Sequence, residues 1–124
     1  MKRTALFSGM FCLLLTGCSS SGLAGAGPDV TVEVVNQSSN NLQNAKARFG
    51  DYACEWGYVA KAGTAVYMSY PHPITAQTEL QRDEGGKLRV EKIDLSKIYT
   101  RGKSGRLTFT VYDDRVEVNF REKS

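Results

Sequence analysis

Few residues of this chain are suited to covalent or proton-transfer chemistry. His72 is its single histidine and stands between Pro71 and Pro73. A lone imidazole can act as a general base or a single ligand, but a base needs a nucleophile and an orienting carboxylate, and neither is identifiable near it. His72 therefore reads as an exposed turn residue. Cys54 is the one thiol downstream of residue 18, so neither a CxxC redox pair nor a thiolate zinc site can be built from it. A mixed or intermolecular disulfide is one reading of Cys54. Burial as a small hydrophobe is the other, favoured by the parity it shares with Trp56 and Tyr58. Asp113-Asp114 has the charge for calcium or glycosidase chemistry, yet a two-residue hairpin tip accounts for both residues. Lys97, Arg101, Lys103 and Arg106 make a basic loop that would suit lipid headgroups or peptidoglycan carboxylates; a solvated face is its plainer reading. Tyr52, Trp56, Tyr58, Tyr67 and Tyr70 crowd one stretch of chain, and such residues dominate binding hot spots as well as sandwich cores. Tyr67 has the opposite parity to Val66 and Met68 and is expected at the surface. The chain has no phosphate-binding glycine loop and no HExxH-like motif. The expectation is a protein that is not an enzyme and needs no cofactor or metal.

A third cysteine position has a different meaning. Lys2 and Arg3 are followed by an apolar run from Ala5 to Leu15, which suits a secretory core of roughly 7–15 residues and is short of the ~20 that span a bilayer. The run ends in Leu15-Thr16-Gly17-Cys18. This tetrapeptide resembles the lipobox of bacterial lipoproteins. The resemblance implies cleavage between Gly17 and Cys18, a diacylglyceryl group on the Cys18 thiol and acylation of the new amine. The chemistry is apt, because a thiolate is the side-chain nucleophile best suited to alkylation and several acyl chains anchor stably where one would not. Ser19 replaces the aspartate that favours inner-membrane retention in the enterobacterial version of the family. That implies an outer-membrane protein facing the periplasm.

Those anchoring residues must be joined to a domain. The chain has 124 residues, 41% hydrophobic and 23% charged, enough for one small core and too few for two. Its formal charge of +3 includes Lys2 and Arg3, so the mature chain is close to neutral and no nucleic-acid partner is expected. Ser19 to Pro28 is small and flexible, with an r.m.s. reach of about 17 Å. The expected organisation is residues 1–17 as signal, 18–29 as lipidated cysteine and tether, and 30–124 as a single domain.

From Val30 the pattern has period two. Val30, Val32 and Val34 share one face, as do Ala45, Ala47 and Phe49, and then Tyr52, Cys54, Trp56 and Tyr58. Val66, Met68 and Tyr70 follow, then Ile74, Ala76 and Leu80, and Leu88 with Val90. Leu107, Phe109 and Val111 precede Val116, Val118 and Phe120. Turn residues separate the runs, and Pro71-His72-Pro73 can only be a crossover or an edge break. Asp94–Thr100 suggests one helical turn. Seven or eight short strands at this spacing predict an all-β, antiparallel β-sandwich of immunoglobulin or transthyretin type, with a small β-barrel as the alternative.

The expected function is that of a membrane-anchored, non-enzymatic binding or structural module working through an envelope protein partner. Tyr67, Tyr70 and His72 beside the proline break, with Arg101 and Lys103, are its candidate contact surface. An alternative comes from Tyr52-Ala53-Cys54-Glu55, which resembles the start of membrane-bound lysozyme inhibitors, small lipid-anchored β-barrels. That likeness implies inhibition of an envelope-directed enzyme. The family's pairing cysteine is absent here, and Ser104-Gly105-Arg106-Leu107 departs from its inhibitory loop.

Overall fold

Alternating side chains give eight strands in the computed structural model, which describes residues 28–123. The signal, cleavage and lipidation positions, including Gly17 and Cys18, lie outside the described residues. The strands are β1 (Val30–Asn36), β2 (Leu42–Phe49), β3 (Tyr52–Val59), β4 (Thr64–Tyr67), β5 (Gln77–Glu84), β6 (Lys87–Asp94), β7 (Gly105–Val111) and β8 (Val116–Glu122). They form two four-stranded sheets, ordered β4-β1-β7-β8 and β3-β2-β5-β6. Every pairing is antiparallel except β1 with β7, which run parallel from Val30↔Gly105 to Asn36↔Val111. The fold is a β-sandwich, and among the described residues the sheets do not close into the barrel named as the alternative.

Three strands supply most of the core. Val32 and Val34 of β1, Ala47 and Phe49 of β2, and Leu107, Phe109 and Val111 of β7 are fully buried, each large side chain gaining roughly 1.5–3 kcal/mol by leaving water. Phe109 receives the edge of Trp56 at 6.1 Å and lies 6.5 Å from Phe49. Two of the four crossings between sheets, the first from β1 to β2 and the second from β4 to β5, bear on the site. At the first crossing the buried Asn36 donates to the Asn40 and Val59 carbonyls at 2.8 and 3.2 Å and accepts from the Ser38 amide and hydroxyl. A buried amide left without partners would be costly; this one is well supplied. At the second crossing, Pro71-His72-Pro73 carries the chain from β4 to β5, as expected. Leu95 to Tyr99 forms the expected single turn, with the Ile98 and Tyr99 amides both on the Leu95 carbonyl.

The pattern fails in four places, each for a physical reason. On β3, Cys54 and Trp56 point inward but Tyr52 and Tyr58 are exposed. A register shift opposite Ala45–Lys46, with Gly57 at φ +81°, swaps the faces and buries Val59 instead. Val66 is exposed because β4 is four residues long and ends its sheet, and Met68 is exposed because it lies in the turn beyond it. Ala76, expected with Ile74 and Leu80, is exposed because it precedes β5; Thr78 takes the inward position before Leu80. On β6, Leu88 and Val90 face solvent while Arg89 and Glu91 turn toward the sandwich.

Those inward charges meet a matching pair on β5. Arg82, only 1% exposed, stands opposite Arg89 in register, with Glu84 and Glu91 between them. The Glu84 Oε1 is 3.6 Å from Arg82 and 3.7 Å from Arg89; the Glu91 Oε1 is 3.5 and 3.8 Å from the same two. Charges of alternating sign thus form a square under an edge strand, where inward-pointing ions discourage further strand pairing.

Candidate functional site

The start of β1 fixes the end of the sandwich at which the described chain begins. The Asp29 amide donates to the Ser104 hydroxyl at 2.9 Å, and its carbonyl accepts from the Gly105 amide at 3.0 Å. Its carboxylate accepts from the Ser69 hydroxyl at 2.9 Å, and the Tyr70 amide donates to the Val30 carbonyl at 2.8 Å. The chain therefore enters between the 68–70 turn on one side and the 100–104 loop on the other. The β2–β3 turn, the proline crossover and the end of β8 share this end, because β1 and β7 start there while β2, β4 and β8 finish there.

The structure gathers the expected contact residues around this entry point, but in different roles. Tyr67 is exposed. His72 is exposed and lies flat on Tyr52, ring centroids 3.8 Å apart and planes within 4°. Tyr70 is buried, so it supports the patch from beneath instead of forming its surface: Tyr67 and His72 meet it edge-on at 5.5 and 5.7 Å, and Phe49 packs at 5.4 Å. Its hydroxyl is buried without a hydrogen-bond partner, and burial, helped by neighbouring Cys54, Tyr67 and Tyr52, pushes its pKa up to about 12. Arg101 lies across the same end, lining a cleft of about 340 Å³ with Pro73, Ile74, Leu95 and Tyr99. Lys103 is exposed and pairs with Glu122 at 3.3 Å, a surface bridge worth at most about 1 kcal/mol.

Met68 was missed by the parity argument and is the most prominent apolar side chain here, 74% exposed. It sits in a two-residue turn whose second member, Ser69, adopts φ +52°. That left-handed conformation is uncommon without a glycine, and the Ser69–Asp29 hydrogen bond fixes it. Tyr52 was expected in the core, and no sequence signal tells that its ring would cover His72.

Each of the catalytic candidates has defined surroundings. His72 has aromatic rings, not carboxylates, as its close partners. Cys54 is fully buried, and burial followed by the nearby Glu55 charge pushes its pKa up to about 12, so it is a poor nucleophile. Asp113 and Asp114 occupy a hairpin tip closed by the Tyr112 amide on the Arg115 carbonyl. Asp113 accepts from the Ser39 amide and hydroxyl at 2.7 and 2.8 Å, which hold its carboxyl below the usual carboxylate range. Among the described residues no three His, Cys, Asp or Glu side chains come together as a metal site.

No family model and no curated protein matches this chain. An NMR structure of a protein from Eubacterium rectale is similar in fold. It superposes with a TM-score of 0.53 at 15% sequence identity, covering 82% of this chain and 97% of that one. At such identity the likeness concerns the sandwich alone.

Proposed function

We propose that the protein is a lipid-anchored envelope lipoprotein, held by acyl chains on Cys18 in the outer membrane and facing the periplasm, whose sandwich is a non-enzymatic module that binds an extended segment of an envelope protein. The observation that carries the binding half of this reading is the edge of β8. Four strands end the two sheets, and three of them are protected. β4 is four residues long, β3 is bulged near Gly57, and β6 has Arg89 and Glu91 turned inward. β8 pairs with β7 in unbroken register over seven residues, and its inward Val116, Val118 and Phe120 remain half-buried. A partner strand laid along β8 would satisfy its free backbone groups and finish covering those three side chains.

A photo-crosslinking residue at Asn119 in living cells should capture one stoichiometric protein, and the same residue at Lys92 on β6 should not. Equal capture at both positions, or none at Asn119, refutes the edge reading. The anchor has its own check: Cys18→Ser should leave an uncleaved, unlipidated precursor, and a lipidated Cys18→Ser protein would refute it.

A further inference from the structure

We infer that the tether-bearing end of the sandwich rests on the surface of the bilayer that anchors it, with Met68 and Tyr67 entering the headgroup region and Arg101 meeting lipid phosphates. The inference rests on the lipoprotein reading above and adds an orientation to it. The ten residues Ser19 to Pro28 reach about 17 Å on average, whereas strands of seven or eight residues are roughly 25 Å long at ~3.3 Å per residue. The end at which Asp29 is fixed is therefore held near the membrane, and the Asp113–Asp114 end is held away from it.

That near end has the side chains an interface selects. Met68 projects from a turn stiffened by Ser69 and tied to Asp29, the first of the described residues to be pinned to the domain. Exposed Tyr67 stands beside it, a residue type that partitions to the boundary between headgroup and acyl chain. On the other side of the entry point lie Arg101, without a carboxylate partner among the described residues, and Lys103. The acids of this end are largely engaged: Asp29 by Ser69 and, at 4.0 Å, Lys123; Glu122 by Lys103; and Asp94 by the Ser96 amide at 2.9 Å. Asp51 stands apart on the β2–β3 turn of the other sheet. Apolar, aromatic and cationic groups on one face are the combination that holds a protein on an anionic lipid surface.

The test uses the full lipoprotein in phosphatidylethanolamine–phosphatidylglycerol vesicles containing a headgroup nitroxide lipid. A thiol-reactive fluorophore is placed by Thr100→Cys at the near end or Asp114→Cys at the far end; the buried Cys54 will not compete for it. The Thr100 label should be quenched and the Asp114 label should not, and Met68→Ser with Arg101→Gln should reduce the quenching at 100. Equal quenching at both ends, or quenching at 100 that ignores the double substitution, overturns the docking. The mass of residue 18 in the same sample separates the two proposals. Acylated Cys18 with no difference between labels removes the orientation alone, and unacylated Cys18 removes the anchor and the orientation that rests on it.

Discussion

Cys54 shows how far a single side chain can be decided by its surroundings. Its thiol is fully enclosed and its pKa stands at about 12, against an ordinary 9.0. A native-state thiol reagent should therefore react slowly with it and fast after denaturation; rapid native labelling would contradict the core placement. The same shift has a pH consequence. Below about pH 9 the thiol is neutral whether the chain is folded or not. As pH rises from 9 toward 12 the unfolded thiol ionises and the folded one does not, so unfolding gains and stability falls. Tyr70, raised from 10.0 to about 12, adds to the loss from pH 10 upward. Urea midpoints measured across this range should decline, and Cys54→Ala should lessen the decline between pH 9 and 10. The residues of the candidate site were legible in type more than in role. Tyr67, Tyr70 and His72 do converge, but in a turn and a proline crossover parity carries no information, so nothing in the spacing told which ring would be buried.

At the level of strands, two substitutions separate packing from charge. Gly105 opens β7 against the end of β8, where a Cβ would collide with the Arg121 carbonyl and crowd Phe120 and Glu122. Gly105→Ala should cost about 1–3 kcal/mol or more by overpacking, read as a lowered urea midpoint with unchanged slope. Arg82→Met should cost up to about 3–5 kcal/mol because it leaves the buried Glu84 with the half-buried Arg89, 3.7 Å away, as its remaining cation. Arg82→Met combined with Glu84→Leu should recover most of that in the same melts. No recovery would show that the square of charges holds β5 and β6 together beyond ion pairing. Alternation was a dependable guide for β1, the second half of β2, and β7, whose inward faces meet an opposing sheet. It misled on β6 because an edge strand need not bury its apolar face, and on β3 because one register shift exchanges inside for outside. The ionic square was beyond reach from sequence, since Arg89 and Glu91 fall there on the face opposite Leu88 and Val90, the expected apolar side of their strand.

For the whole molecule, ordering is expected to begin where the hydrogen bonds begin. A chain starting at Pro28 should melt at the temperature of the longer chain starting at Cys18, because Asp29 is the first of the described residues tied to the rest. A chain starting at Val35 should not fold, because β1 lies between β4 and β7 and its loss would separate them. The parallel pairing of β1 with β7 also decides how the protein bears a pull. If the proposed anchor holds the chain, tension would enter at the lower end of β1 and run along the strand, loading the seven-residue ladder to β7 in shear. The bonds of a parallel ladder are evenly spaced, and under shear they share the load instead of parting one after another. A partner gripping β8 would complete that line of force through β7. The same sheet would then serve as a mechanical link between the bilayer and whatever the partner is bound to, strongest along the direction in which it is pulled.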